Sequence, residues 1–249
     1  MLPKTMRAMP KQFRIFTLAR LFFVEIIRRV FDQRATLSYA NAGEDLILRR
    51  IFNRFNGFYV DLGCNSPDST SNTFALYKLG WTGICIDANE QLIARHAIMR
   101  PNDRQVLAAV SKQQKEVVFT QFVGDDNISS IDEGFVERVS KTRVGKIEKR
   151  MQTQTLREIL EKHSVEKNFD LLCIDVEGHD FEALQSLDFS KYRPRVIVIE
   201  ILCLELIRYA DNPIIEFLLS HNYRFAGYIM QNAYFADNNP GAVNGLYFG

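Results

Sequence analysis

Apolar residues in this chain gather into short unbroken runs at 58–62, 83–87, 105–110, 170–175 and 196–200. Continuous apolar runs of this length, without polar alternation, mark strands buried on both faces. Between them lie stretches with helical spacing. The pattern predicts helices over 46–55, over 71–79 with Gly80 ending it, over 89–100, over 156–163 with Thr155 as cap, over 179–187 and over 213–221. Asn56, Gly57 and residues 101–103 supply turn signals, and 124–127 turns the extended run 117–122 back onto 128–131. Late strands are predicted over 223–229 and 245–248. Strands alternating with helices build a parallel sheet covered on both faces, an α/β doubly wound domain. Residues 134–152 are polar and charge-rich and read as a mobile segment or insertion near the active site.

The amino end breaks this pattern. Before Thr36 the basic residues are Lys4, Arg7, Lys11, Arg14, Arg20, Arg28, Arg29 and Arg34, against Glu25 and Asp32 as the acids. On a helical projection Lys11, Arg14, Glu25, Arg28 and Arg29 share one side, and Phe16, Leu18, Phe22, Phe23, Ile26, Ile27 and Val30 cover much of the rest. Charges interrupt the apolar run, so it matches neither a spanning helix of ~20 apolar residues nor a signal peptide. Residues 1–37 therefore read as a basic amphipathic helical leader, and 38–249 as the main domain. Two readings of the leader stand open: a helix docked on the domain or in a homodimer contact, or a helix in an anionic membrane surface reached through residues 1–34.

Composition narrows the classes further. A net charge of +1 on 249 residues, 47% of them hydrophobic, fits one elaborated domain and argues against a nucleic-acid binder. Cys64, Cys85, Cys173 and Cys203 lie in or beside apolar runs and form no C-x-x-C pair. They read as reduced, buried thiols of a cytoplasmic protein.

In open α/β sheets, ligands bind beyond the carboxyl ends of the strands. Here Asp61 and Gly63 close the first strand and Asp87 the second. Asp175, Glu177 and His179 follow the fourth, and Glu200 closes the fifth. Gly63 lets a ligand lie against the backbone, and Asp87 stands where an acid holds both ribose hydroxyls. A dinucleotide site would carry further glycines for a pyrophosphate. Asp61, two residues before the single glycine, would repel one. It suits the ammonium of an amino acid, whose carboxylate Asn65, Ser66 and nearby backbone donors would receive. The pattern favours S-adenosylmethionine over NAD.

The run from Tyr59 to Pro67, the run from Ser71 to Asp87 and the Ile174-Asp175-Val176-Glu177-Gly178 core resemble the FkbM family of S-adenosylmethionine-dependent methyltransferases. The upstream Ala42-Gly43-Glu44-Asp45-Leu46 is similar to that family's first motif, although Asn41 stands where members often carry Gln. The resemblance implies a class I methyltransferase (Rossmann-like) fold, a mostly parallel sheet, and O-methylation of a saccharide or other natural-product hydroxyl. By position it implies that Asp61, Gly63 and Asn65 line the methionine side, Asp87 the ribose, Ala88 and Ser111 the adenine, and Asp175 the methyl region.

Methylating a hydroxyl requires in-line placement and benefits from a base. Asp175, Glu177 and His179 are the candidates, with His179 nearest in ordinary pKa to neutrality. A metal-free site is the main expectation. The alternative is Mg²⁺ on Asp175, Glu177 and Glu200, where it would acidify a hydroxyl pair. Competing classes are a nucleotide-dependent oxidoreductase and a non-catalytic cofactor-binding protein. The leader suits a glycolipid-linked acceptor at the inner face of a membrane.

Overall fold

The computed structural model describes residues 19–20, 22–27, 36–53, 56–123, 128–143, 145–243 and 246. Seven strands form the main sheet: β1 (Phe58–Leu62), β2 (Thr82–Asp87), β3 (Arg104–Leu107), β8 (Leu171–Ile174), β9 (Val196–Glu200), β10 (Tyr223–Ile229) and β11 (Asn232–Asp237). Their order is β3-β2-β1-β8-β9-β11-β10. The pairs from β3 to β9 are parallel, and β11 runs antiparallel to both neighbours. A smaller sheet, in order β4-β7-β5-β6, joins β4 (Ala109–Val110), β5 (Glu116–Phe122), β6 (Ser129–Ser130) and β7 (Lys146–Gln154).

Strand geometry divides each apolar run between two cores. Val60, Leu62, Ile84, Ile86, Leu172 and Ile197 point into one. There they meet α5 (Leu156–Lys162), α6 (Asp180–Gln185) and α7 (Pro213–Ser220). Tyr59, Cys85, Leu171, Cys173 and Val198 point into the other, against α1 (Glu44–Phe52), α2 (Phe74–Lys78) and Trp81. Each fully buried Leu or Ile contributes about 1.5–3 kcal/mol. Local chemistry sets the ends of the helices. Thr155 and Glu158 form a capping box on α5, and the Asn89 side chain accepts from Gln91 and Leu92 to start α3 (Glu90–Met99).

The structure departs from the sequence reading in five places. The run 105–110 is two strands. Ala108 N–H donates to the carbonyl of Asp87, and the chain then leaves the main sheet to pair Ala109 and Val110 with β7. The polar stretch expected to be a mobile segment or insertion instead carries regular structure in its described residues: α4 (Glu133–Ser140) and most of β7. β7 is exposed along most of its length and pairs with β5 through its backbone, which leaves no apolar signature. Strand β11 was not anticipated, and the strand expected at 245–248 lies outside the described residues. The helix expected over 71–79 is confined to Phe74–Lys78, because residues 63–73 form the loop around the site. Cys203 is exposed, whereas Cys64, Cys85 and Cys173 are buried and free. Most of the leader also lies outside the described residues. Within it, 22–27 is helical with Phe22, Phe23, Ile26 and Ile27 exposed.

Arg100 is fully buried and holds the β1 loop in place. Its guanidinium donates to the carbonyl of Pro67 at 2.7 Å, to Thr73 Oγ1 at 2.9 Å and to Ser71 Oγ. Its counter-ion is Asp103, at 4.0 Å, which also accepts from Tyr59 Oη and, at 2.8 Å, from Gly83 N–H. Removing one member of a buried pair leaves the other uncompensated. Arg100→Leu is expected to lower unfolding free energy by about 3–5 kcal/mol. Urea denaturation monitored by tryptophan fluorescence measures this; a loss within 0.5 kcal/mol, about what an ordinary surface change costs, would refute the role.

Candidate active site

A cavity of about 240 Å³ opens at the carboxyl ends of β1, β2 and β8. Asp61, Gly63 and Asn65 line it from β1 and its turn, Asp87 and Ala88 from β2, and Asp175 and Glu177 from β8. Leu92, Ala108, Ala109 and Val110 supply an apolar wall, and Phe119 and Ile128–Ile131 close it from the small sheet. The four charged groups on this lining are all carboxylates; it holds no lysine, arginine or histidine among the described residues.

Backbone contacts build the cavity floor. Gly63 and Cys64 N–H both donate to the carbonyl of Ile86, at 2.9 and 3.2 Å. Gly63 has φ +75°, and a Cβ there would lie 1.7 Å from the carbonyl oxygen of Asp175. The glycine is thus required first by the neighbouring strand end and only second by a ligand. Asp87 accepts Asn65 N–H at 3.1 Å on one oxygen and Asn89 N–H at 2.8 Å on the other. It locks the β1 turn to the start of α3 while keeping lone pairs for a ligand. Burial pushes its carboxyl up to about 6. Asp61 accepts from Thr73 Oγ1, which connects it to Arg100 behind the cavity, and burial raises its pKa too.

The turn after β8 is held by a residue that spacing did not single out. Asp180 accepts Val176 N–H at 2.9 Å and Gly178 N–H at 3.1 Å, which fixes Glu177 and Gly178 at positive φ. Ser130 Oγ donates to the Glu177 carbonyl at 2.7 Å, so the small sheet clamps the same turn. One oxygen each of Asp175, Asp180 and Glu200 lies within 4.8 Å of the others. Burial, then the neighbouring acids, raises the pKa of Asp175 well above the carboxylate range and that of Glu200 to about 8.

Several expected contacts are not brought together. His179 is buried outside the cavity lining, with Nε2 3.0 Å from Ser111 Oγ and Nδ1 3.9 Å from Glu182. Ser111 likewise lies behind the wall. Ser66 faces Ser69 and Arg95. Glu200 joins the acidic cluster but does not line the cavity, and Asp180 takes the cluster place given to Glu177. Asn41, which stands where family members often carry Gln, lines the cavity. The acids of the Gly43-Glu44-Asp45 motif anchor its segment: Glu44 accepts from Ala42 N–H and Asn232 Nδ2, and Asp45 from Ser38 Oγ and Tyr39 N–H. Trp81 and Tyr234 are buried core residues.

The family model described as the methyltransferase FkbM domain matches residues 61–225, about two-thirds of the chain, and spans the ends of β1, β2 and β8 that line the cavity. The chain belongs to the FkbM methyltransferase family. No curated protein matches it. Among solved structures, a TehB-like SAM-dependent methyltransferase from Corynebacterium glutamicum is similar at 12% identity over 90% of this chain and 98% of that one, with a TM-score of 0.42. The FkbM assignment makes this chain a methyltransferase and the sheet described above a class I methyltransferase (Rossmann-like) fold. It also implies S-adenosylmethionine as methyl donor. The cavity fits that donor. Its acids suit a molecule bearing an ammonium and a sulfonium, its apolar wall adjoins Asp87 where an adenine would follow a ribose, and its lining offers no cation for a pyrophosphate among the described residues.

The buried acids set a pH dependence. Above about pH 7.5 the unfolded chain has released nearly all of its histidine protons, so His96, its pKa lowered to about 3 by burial, and His163 and His179, also lowered by burial, no longer add to the pH dependence. Between there and about 8 the folded chain retains protons at Asp175 and Glu200 that the unfolded chain has released. Stability therefore falls as pH rises through this window, by at most roughly 1.4 kcal/mol per pH unit for each retained proton. In chelator, thermal midpoints of the apo protein are expected to decline as pH rises from about 7.5 through 8, and the decline to flatten in Glu200→Gln. Equal slopes in both proteins would contradict this assignment.

Proposed function

We propose that this methyltransferase is an O-methyltransferase whose acceptor is a hydroxyl of a saccharide, glycolipid-linked or natural-product molecule. The observation that carries the reading is the cavity lining: acids at successive strand ends, with no described basic group beside them. Polar Asn72, Ser129, Ser130 and Glu177 line the same cavity and suit a hydroxylated acceptor.

S-adenosylmethionine supplies an electrophilic methyl on a sulfonium. Asp87 accepts the ribose hydroxyls through lone pairs left by its two backbone contacts. Asp61 and Asp175 face the cationic end from adjacent strands, and Asn41 and Asn65 supply polar contacts around it. Glu177 is the base we favour, because it lines the cavity and His179 does not. It would take the acceptor's proton as the acceptor oxygen bonds the methyl carbon and the methyl–sulfur bond breaks, its electron pair staying on the departing neutral thioether.

Asp87→Asn is expected to weaken donor binding at least tenfold, about 1.4 kcal/mol, measured by calorimetry with the fold checked by circular dichroism. Glu177→Gln should lower turnover about 10²-fold with donor affinity retained, the lower end of what a base contributes. Transfer of tritiated methyl into fractionated extract identifies the product. Label in an amine or protein, or donor binding without any transfer, would overturn the O-methyltransferase reading.

For the leader we favour a membrane surface of anionic lipid. Phe22, Phe23, Ile26 and Ile27 are exposed and adjoin Arg20, Arg28 and Arg29 in sequence. No described helix is long and apolar enough to cross a membrane. The three buried free thiols suit the cytoplasmic side. In flotation with phosphatidylserine vesicles the full chain is expected to float and a chain lacking residues 1–34 to stay below. Equal recovery in the soluble fraction, with the full chain dimeric, would replace the membrane by a second copy.

A further inference from the structure

We propose that Asp175, Asp180 and Glu200 bind a divalent cation of hard, Mg²⁺-like character in the wall of the donor cavity. One oxygen from each lies within 4.8 Å of the others, and Asp180 and Glu200 are only 4% and 8% exposed. Clustered acids alone would not make a site. The further observation is Glu200 Oε2, which is buried and has no hydrogen-bond partner. Charged neighbours do not relieve the cluster: the charges acting on Asp175 and Glu200 are those of other acids, and no ion pair with a described lysine or arginine reaches any of the three. An orphaned carboxylate oxygen among like charges is costly unless a cation or proton completes it.

The donor set also fits. Mg²⁺ takes oxygens at 2.0–2.1 Å and Ca²⁺ at 2.3–2.6 Å, so two ligands of one ion lie at most roughly 4–5 Å apart, and three oxygens within 4.8 Å of one another are in reach of a single ion. Asp180 spends one lone pair of each oxygen on the Val176 and Gly178 N–H groups. Those contacts hold it rigid and leave lone pairs for the ion, as orienting hydrogen bonds do for metal-ligating carboxylates. The site differs from the set suggested by sequence order, in which Glu177 stood where Asp180 does.

Asp175 belongs both to this cluster and to the cavity lining. A cation held there presents its remaining positions to the acceptor side of the cavity. It would take two neighbouring acceptor oxygens and lower the pKa of the hydroxyl that reacts. The acceptor class this selects is a vicinal diol or a similarly chelating pair. That second half rests on the O-methyltransferase reading; the cation site itself does not.

Mn²⁺ serves as the probe, counted by electron paramagnetic resonance on the full chain after chelator treatment. One Mn²⁺ per chain is expected. Glu200→Gln is expected to weaken it by more than the ~10-fold that loss of an outer partner alone costs, while a control at the exposed Glu161→Gln leaves it unchanged. Donor affinity is measured alongside, without metal. No Mn²⁺ bound by the folded wild-type chain up to about 1 mM, the weak end of protein Ca²⁺ sites, would overturn the cation site even if donor binding is intact. Equal Mn²⁺ binding by wild type and Glu200→Gln would overturn it too. Should Glu200→Gln not fold, the wild-type titration decides by itself. Loss of donor binding with Mn²⁺ retained would count instead against the methyltransferase chemistry.

Discussion

Burying a carboxylate without a cation beside it is unfavourable, and this fold does so repeatedly at one end of one sheet. Asp61, Asp87, Asp175, Asp180 and Glu200 are all held at the carboxyl ends of neighbouring strands, and burial raises the pKa of each. Backbone N–H groups support Asp87 and Asp180, and the Thr73 hydroxyl supports Asp61. Asp175 and Glu200 have no such donors among the hydrogen bonds between described residues, and the cluster's charge is balanced there only when something positive arrives. The site thus stores unfavourable electrostatics that a cationic ligand relieves, which is how binding becomes selective for positive charge.

The scaffold that carries this charge is stiff because its loops are tied from behind. Arg100 reaches the Pro67, Ser71 and Thr73 positions of the β1 loop from the end of α3. Through Thr73 it is one hydroxyl from Asp61. Its charge lies behind the wall, so it steadies the acids without appearing in the cavity. The small sheet does similar work on the other side, where Ser130 holds the Glu177 carbonyl and Phe135 packs beside Gly178. Loops fixed on two sides can present side chains with the accuracy that transfer between two bound molecules demands.

The parts legible in sequence were those written in local pattern. Strands β1, β9 and β10 match the runs read for them residue for residue, because turn chemistry bounds them sharply. Asp61, Gly63, Asn65, Asp87, Asp175 and Glu177 were identifiable because each follows a buried run, and all of them line the cavity. β7 and β11 were not legible, for opposite reasons. β7 is polar on both faces and exists through backbone pairing with β5. β11 is buried throughout between β9 and β10, and its short apolar core is hard to tell from a turn in so aromatic a region.

By itself the sequence determined the class of fold, the order of the motifs and the negative character of the strand ends, since period and residue type are local properties of the chain. Tertiary structure alone decided which of those acids meet. It turned His179 away to Ser111, drew Asp180 in beside Asp175 and Glu200, placed Asn41 at the cavity and buried Arg100 behind it. Those outcomes depend on where separate loops end after the sheet has assembled. A hydrogen bond or a shared charge spans only a few ångströms, so they follow from distances that residue spacing does not contain.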